Sequence, residues 1–223
     1  MPIIPIRVFF EKRSRVKYIS HLDTMRAFTR ALSRSRLPIW YTEGFNPHIY
    51  LTFALPLSLG YESLCESFDT RLIREVGLEE CREALNRVLP EGMKVLRVEH
   101  PVQDATAITF ADYDIRLIWP GESPAMLEQN WRDFQLLPVI EVEKKSKKGM
   151  RTVDIGPNVR VLESAFSHEE RTLRMTLRCA AGSSLNINPS LYLGAFYAFA
   201  DARPEGVKIV RTAILDAKEQ PFT

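Results

Sequence analysis

The stretch that decides the fold is Ile6–Ser35, which reads IRVFFEKRSRVKYISHLDTMRAFTRALSRS. Side chains alternate along Ile6–Glu11 with an apolar residue at every second position, and this period predicts a strand. A capping-box-like sequence at Ser20–Asp23 predicts the start of a helix, whose apolar residues recur at helical spacing to the end of the stretch. A basic turn at Lys12–Arg15 joins the two elements. The stretch therefore predicts a β-α unit with a cationic connection.

The residues that follow extend this unit. Strand-like and helix-like apolar periods alternate along them, and Pro90–Gly92 supplies a turn before the last element. The resulting order, β-α-β-β-α-β, is the ferredoxin-like arrangement, in which two helices cover one face of an antiparallel sheet. The predicted elements are an interrupted strand at Leu37–Thr42 and Ile49–Ala54, a strand at Leu64–Ile73, a helix at Leu78–Leu89 and a strand at Met93–Val98.

The second half repeats this order with an added hairpin. We therefore expect an α+β protein with two ferredoxin-like domains, at residues 1–100 and 112–223, joined by a connector at 101–111. Its two helices are predicted to start at Ser123-Pro124 and Asn188-Pro189, because each pair suits an N-cap followed by the first helical position. Its predicted strands are Tyr113–Trp119, Val139–Lys144, Arg151–Ile155 running on to Leu162, Thr172–Cys179 and Val207–Leu215.

The composition is that of a folded globular protein, with 45% hydrophobic and 26% charged residues. No apolar run reaches the roughly 18 residues that a membrane span needs, and the first residues lack the order of a signal peptide. We therefore expect a cytoplasmic protein with no membrane partner. Cys65, Cys81 and Cys179 form no C-x-x-C pair, so neither a disulfide framework, a metal site nor a cofactor is predicted.

Basic charge is concentrated near the beginning of the chain. Residues 1–60 hold nine lysines or arginines and three acids, although the net charge of the whole chain is only +2. Arg26, Arg30 and Arg34 fall on one side of the first predicted helix, away from its apolar face. A solvated helix face and an anion-binding surface are both consistent with this row.

The segment Tyr41–Gly60, YTEGFNPHIYLTFALPLSLG, is the second candidate feature. Gly44 permits a positive φ and Pro47 restricts the residue before it, so the loop is stiff, which suits a structural turn or a binding edge. Cations interleaved with aromatic residues suit RNA, because phosphates attract Lys and Arg while unpaired bases stack on rings. The candidate nucleic-acid-binding residues are Lys12, Arg13, Arg15, Lys17, Arg26, Arg30, Arg34, Phe45, Asn46 and His48.

A lysine-rich stretch at Glu143–Gly149 has the composition of a hairpin tip. Its charge keeps such a tip solvated, and Gly149 permits the turn. A solubilising tip and a second phosphate-contacting arm are the two interpretations.

His21 and His48 are the candidate catalytic residues, as an acid and base pair for metal-free RNA cleavage. Such a pair needs both rings within hydrogen-bond reach of the groups that exchange protons. The sequence contains no G-x-x-x-x-G-K-[ST], G-x-G-x-x-G, G-x-S-x-G or H-E-x-x-H motif. The residues therefore favour a binding protein over an enzyme for this chain alone.

Three motifs in order carry a family resemblance: SHLD at 20–23, EGFNPH at 43–48 and FALPLSLGYES at 53–63. Over Arg7–Val98 the chain resembles the radical SAM-linked protein family, a bacterial domain of unknown function fused to, or encoded beside, a radical S-adenosylmethionine enzyme. TVDIGPNVRVLES at 152–164 is similar to a segment of that family's second half. The resemblance implies a partner enzyme and no settled activity. The chain departs from it at Ile49 and Tyr50, where the family has proline and a basic or small residue, which implies a less basic groove there.

Three functions remain open. The first is a non-catalytic RNA-binding accessory module that presents tRNA or ribosomal RNA to a radical SAM modification enzyme. The chain lacks the C-x-x-x-C-x-x-C run that would hold a cluster, so the radical chemistry would belong to the partner. The second is a metal-independent endoribonuclease that resembles, by fold alone, the CRISPR RNA-processing enzymes. The third is a protein-interaction subunit of the radical SAM enzyme without RNA contact.

Overall fold

The computed structural model describes residues 3–119, 121, 123–146, 149–183 and 185–223. Within these residues the chain is α+β, with four α-helices and ten strands. It divides into two compact units: the first is Met1–Ala107 with Arg211–Ile214 and Gln220–Thr223, and the second is Ile108–Val210 with Leu215–Glu219. Lys147 and Lys148, in the lysine-rich stretch, lie outside the described residues.

The first unit is built on an antiparallel sheet in the order β4-β1-β3, with β2 paired to β3. Residues 211–214 of the last strand, β10 (Gly206–Asp216), lie next to β3. The other elements are β1 (Ile4–Lys12), α1 (His21–Arg34), β2 (Thr52–Phe53), β3 (Glu62–Leu72), α2 (Leu78–Asn86) and β4 (Met93–Glu99).

Both helices of this unit pack on the same hydrophobic core. Ser20 caps α1, as its sequence predicts, because its side chain accepts a hydrogen bond from the Asp23 N–H at 3.1 Å. The buried face of α1 includes Phe28, whose ring centroid lies 4.5 Å from that of Phe10 on β1. The core also contains Cys81 and Leu85 of α2, Phe68 of β3 and Val95 of β4.

The interrupted strand predicted at Leu37–Thr42 and Ile49–Ala54 is much shorter in the structure. Only Thr52–Phe53 forms a strand, and Ile39 and Tyr41 make isolated bridges. Pro38 has no N–H to donate and Arg36 adopts a φ of 61°, so the chain does not enter a regular ladder after α1. The predicted basic turn is also different, because β1 continues through Lys12 and a 3-10 helix occupies Ser14–Tyr18.

The second unit has the strand order β10-β5-β9-β8, to which β10 contributes residues 206–210 and 215–216. The pairs β5–β9 and β8–β9 are antiparallel, and β6 and β7 form a separate two-stranded hairpin. Its elements are β5 (Ile108–Ile118), α3 (Pro124–Gln135), β6 (Glu141–Ser146), β7 (Gly149–Asp154), β8 (Val159–Ser167), β9 (Thr172–Ala180) and α4 (Pro189–Ala200).

The continuous strand predicted from Arg151 to Leu162 is two strands, β7 and β8. A 3-10 helix at Gly156–Asn158 separates them, because Pro157 cannot donate to a ladder. The Asp154 carboxylate stabilises this break by accepting hydrogen bonds from the N–H groups of Gly156 at 2.9 Å and Ile140 at 3.1 Å. No helix in the described ranges is long and apolar enough to cross a membrane.

Candidate nucleic-acid interface

The segment Thr42–His48, called the 42–48 loop below, is a closed and braced turn. Tyr41 and Ile49 bridge its base, and the Thr42 N–H donates to the His48 carbonyl at 2.8 Å. The His48 N–H in turn donates to the Thr42 hydroxyl oxygen at 3.1 Å. Gly44 adopts a φ of 121°, which only glycine takes without strain. These contacts fix both ends of the loop.

His48 holds the inside of this loop with its ring. Nδ1 lies 3.0 Å from the Asn46 carbonyl oxygen and 3.0 Å from the Thr42 hydroxyl. A carbonyl can only accept, so this network assigns the proton of the neutral ring to Nδ1 and leaves Nε2 as the acceptor. His48 is therefore a brace of the loop, and its Nε2 is the ring nitrogen free to meet a hydrogen-bond donor.

Phe45 stands at the tip of the 42–48 loop and is fully exposed, with a relative accessibility of 105%. Asn46 and Pro47 beside it are exposed as well. A phenylalanine that contacts no core, on a loop whose backbone is fixed, gains nothing for folding from its hydrophobic surface. The loop thus presents one aromatic ring to solvent in a defined position.

An arginine in contact with two neighbouring aromatic rings lies at the base of the loop. The Arg71 guanidinium is 4.3 Å from the Tyr50 ring centroid and 5.2 Å from that of Trp40. Backbone contacts hold both rings to β3, because the Trp40 N–H donates to the Arg71 carbonyl and the Thr70 hydroxyl donates to the Tyr50 carbonyl, both at 2.8 Å. All three stacked side chains are half-buried, so their outer faces remain accessible. We call this group the Trp40–Arg71–Tyr50 stack.

The predicted basic turn does not present all its cations to solvent. Lys12 is only 2% exposed, and its Nζ donates to the Ile19 carbonyl at 3.0 Å. Burial lowers the pKa of Lys12, and the negative charge of Glu66 opposes that shift. A lysine in this position cannot reach a phosphate on the surface, so we exclude Lys12 from the interface.

The remaining cations of this region do lie at the surface. Arg13 and Arg15 are exposed, and Lys17 is half-buried with its Nζ 3.8 Å from a Glu62 carboxylate oxygen. Arg26, Arg30 and Arg34 are exposed along one side of α1. Within α1, Arg26 pairs with Asp23 at 3.1 Å, and an exposed pair of this kind contributes little to stability. The helix row is therefore available to an anionic partner.

The model of a family described as an uncharacterized protein conserved in bacteria, DUF2344, matches residues 5–189. The chain belongs to this family. No curated protein matches it. Among solved structures it is similar to one described as the crystal structure of a Cbf5-Nop10-Gar1 complex, with 11% identity and a TM-score of 0.44. That likeness covers 94% of this chain and 48% of the other, so this chain spans about half of that one. A similarity this weak indicates neither fold nor function.

His21 lies in a different setting from His48. Its ring packs edge-on against Phe53, with centroids 5.0 Å apart. It lines a cavity of about 10 Å³ with Lys12 and Glu66, close to the smallest volume that holds one water molecule. His48 is not in that lining. The cavity therefore does not unite the predicted catalytic pair, and it has no room for a nucleotide.

Trp40 and Arg71 are functional candidates that sequence reasoning missed. The signal that could have pointed to Trp40 is the aromatic pair Trp40-Tyr41 before the loop, matched by Tyr50 after it. Arg71 had no local signal, because β3 brings it to the loop from far along the chain. A stack of this kind requires the strand pairing of the folded chain.

Proposed function

We propose that this chain is a non-catalytic RNA-binding module, and the observation that carries the proposal is the fully exposed Phe45 on the braced 42–48 loop, with the Trp40–Arg71–Tyr50 stack at the base of that loop. Unpaired bases stack on aromatic rings and on arginine planes, and each such stack contributes about 1–3 kcal/mol to binding. The 42–48 loop offers Phe45 as a ring to stack on or to insert between bases. Asn46 and the Nε2 of His48 supply hydrogen-bonding groups next to it.

The exposed cations supply the phosphate contacts in this proposal. Arg26, Arg30 and Arg34 form a row on α1, and Arg13, Arg15 and Lys17 lie before that helix in the chain. A protein that neutralises phosphates with such residues binds RNA in a salt-dependent way, because it releases counterions. Structured RNA with unpaired bases, such as tRNA or ribosomal RNA, fits both parts of the surface.

We also propose that each unit is a ferredoxin-like domain, and the strand orders support this. In such a domain the first strand lies between the third and the fourth, and the second strand flanks the third. The order β4-β1-β3 with β2 on β3 has this form in the first unit, and β10-β5-β9-β8 has it in the second. The hairpin β6–β7 is the addition predicted for the second unit.

The partner in the proposal is a radical SAM RNA-modification enzyme encoded nearby, as the resemblance of the first half implies, and the site of action is the cytoplasm. The endoribonuclease alternative has less support, since the His48 ring braces its own loop through Nδ1 and His21 lines a cavity of about 10 Å³. The protein-interaction alternative would use the same exposed Phe45.

A binding titration tests the proposal. We expect Phe45→Ala to weaken binding to a fluorescently labelled tRNA by about fivefold or more, because a lost stack contributes about 1–3 kcal/mol. Val102→Ala is the matched control, since it truncates another exposed apolar residue of the first unit. Changing Arg26, Arg30 and Arg34 together to Gln should lower the slope of log affinity against log salt by about two.

Absence of RNA binding by the wild-type chain at low salt would refute the proposal. Co-purification with the radical SAM enzyme that resists nuclease and high salt, yet is lost in Phe45→Ala, would instead assign the loop to protein contact. RNA cleavage in the presence of chelator that is lost in His21→Ala would establish the endoribonuclease.

A further inference from the structure

A groove of about 570 Å³ lies on strands β5, β8, β9 and β10 of the second unit, and the loop and stack of the first unit have no part in it. Its volume is within the range of about 300–1,000 Å³ typical of ligand sites. The charged lining alternates with buried residues along the strands, as Asp114 and Arg116 do on either side of buried Ile115. The charged side chains of the groove thus lie on the face of the strands that does not contribute to the core.

Like charges lie side by side across this groove. Arg116 on β5 is directly opposite Arg174 on β9 in the strand register. In the next row, Thr176 of β9 lies between Asp114 of β5 and Glu163 of β8. Directly opposed like charges destabilise a sheet. The sheet therefore places a row of two arginines beside a row that holds two carboxylates.

The cationic row, which consists of Arg116 and Arg174, already binds one anionic oxygen. Arg116 and Arg174 both donate to the same Oε2 atom of Glu170, at 3.2 Å and 2.8 Å. The hydrogen bonds from Arg174 and then Thr172 lower the pKa of Glu170. Lys208 lines the same groove, and the Nε of Arg116 is buried without a hydrogen-bond partner among the described residues. Two guanidinium groups that converge on one oxygen have the geometry that binds a phosphate.

The acidic row offers acceptors for hydroxyl groups. The Thr176 hydroxyl lies 3.2 Å from an Asp114 oxygen and 2.9 Å from a Glu163 oxygen, and its single proton can serve only one of them at a time. Carboxylates are the groups that bind ribose hydroxyls in nucleotide sites. The two rows are two residues apart along β9, which is about 7 Å. A nucleotide spans such a distance between its phosphate and its ribose hydroxyls.

We propose that this groove binds the ribose phosphate moiety of a nucleotide. The phosphate binds Arg116, Arg174 and Lys208 and takes the place of the Glu170 carboxylate. The 2′- and 3′-hydroxyls donate to Asp114 and Glu163. The proposal does not depend on RNA binding by the first unit.

Titration of the full chain with ribose 5-phosphate, followed by calorimetry, tests the site. We expect 2-deoxyribose 5-phosphate to bind roughly tenfold more weakly, because it lacks one hydroxyl that meets a carboxylate. The double variant Arg116→Gln with Arg174→Gln should abolish binding, whereas Arg132→Gln, an exposed arginine of α3, should not change it. Glu170→Gln should tighten binding several-fold, because it removes the competing carboxylate. Equal binding of the two sugars, or no effect of the double variant, would overturn the proposal.

A free nucleotide and a segment of RNA share the ribose phosphate chemistry, so two further probes distinguish them. AMP that binds as tightly as the trinucleotide AAA assigns the groove to a free nucleotide. Binding of the trinucleotide alone assigns it to RNA. Failure of both to bind, with the wild-type chain shown to be folded by circular dichroism, rejects the site.

Discussion

Removal of the buried carboxylate of Glu66 is the sharpest test of the first unit's stability. Glu66 and Arg211 are 2% and 3% exposed, and the Arg211 Nη1 donates to the Glu66 Oε1 at 2.8 Å. Lys12, also buried, lies close enough for Glu66 to raise its pKa against the effect of burial. Glu66→Gln therefore removes the carboxylate that pairs with Arg211 and acts on Lys12, and both cations stay buried. Opposite unit charges about 4 Å apart attract by about 4 kcal/mol at an effective dielectric constant of about 20.

Arg211 keeps two neutral acceptors in this variant, the carbonyls of Leu55 at 3.3 Å and Pro56 at 2.8 Å. These acceptors offset only part of the lost interaction with the carboxylate. Removing one partner of a buried ion pair destabilises a protein by about 3–5 kcal/mol. We expect a loss of that size in the free energy of unfolding, measured by urea denaturation. For a chain of this length it corresponds to a fall in Tm of about 6–20 °C.

Two further variants make this prediction decisive. Glu83→Gln breaks the exposed pair with Arg87 and should cost less than about 1 kcal/mol. Arg211→Met combined with Glu66→Gln should cost less than the sum of the single changes by at least about 1 kcal/mol, because the two residues act on each other. A loss below about 1 kcal/mol for Glu66→Gln, or strict additivity of the pair, would refute the account of the buried charges.

Three other properties follow from the described contacts. The pKa of Lys12 is lower in the folded chain than its ordinary value of 10.5. Between these two pKa values the unfolded chain binds more protons than the folded chain, so the free energy of unfolding rises with pH. Lys12→Met should lack this rise when urea denaturation is measured in parallel. Burial raises the thiol pKa of Cys81 to about 11 and that of Cys179 to about 12. A maleimide should therefore label half-buried Cys65 first. Equal labelling rates at the three thiols would contradict the burial of Cys81 and Cys179. Gly92→Ala should lower the Tm more than Gly60→Ala does in thermal melts. Both glycines have a positive φ, but only a Cβ at position 92 would lie 2.6 Å from the Arg13 carbonyl oxygen. Equal falls in Tm would contradict that contact.

The α+β class is confirmed, and the helices were the most predictable elements. Their ends depend on local signals, such as Ser20 before α1 and Asn188 before α4, both of which cap through their side chains. Strand bounds depend on pairing with distant residues. For this reason the strand predicted at Leu37–Thr42 is reduced to isolated bridges. β3 has neighbouring strands on both sides, and it differs from its predicted bounds only at the ends.

The candidate interface was predictable in part for the same reason. Stiffness of the 42–48 loop could be read from Gly44 and Pro47, but the full exposure of Phe45 could not, since a phenylalanine in a loop usually turns toward the core. Lys12 gives the opposite case. It stands in a basic run in the sequence, yet in the fold it is buried near Glu66, which comes from a strand far along the chain. Charge counted along the sequence does not report where the charge lies in the fold.

The last strand in chain order has a consequence for biosynthesis. β10 contributes residues 206–210 to the second unit and 211–214 to the first, so neither sheet is complete before that strand has been made. Domains otherwise tend to fold in order as the ribosome releases them, at about 5–20 residues per second. The residues between Ala107 and Arg211 impose a delay of about 5–20 s during which β3 lacks its pairing with β10 and has only the two residues of β2 on that side. A nascent chain stalled before Gly206 would therefore expose β3 as a site for a chaperone or for aggregation.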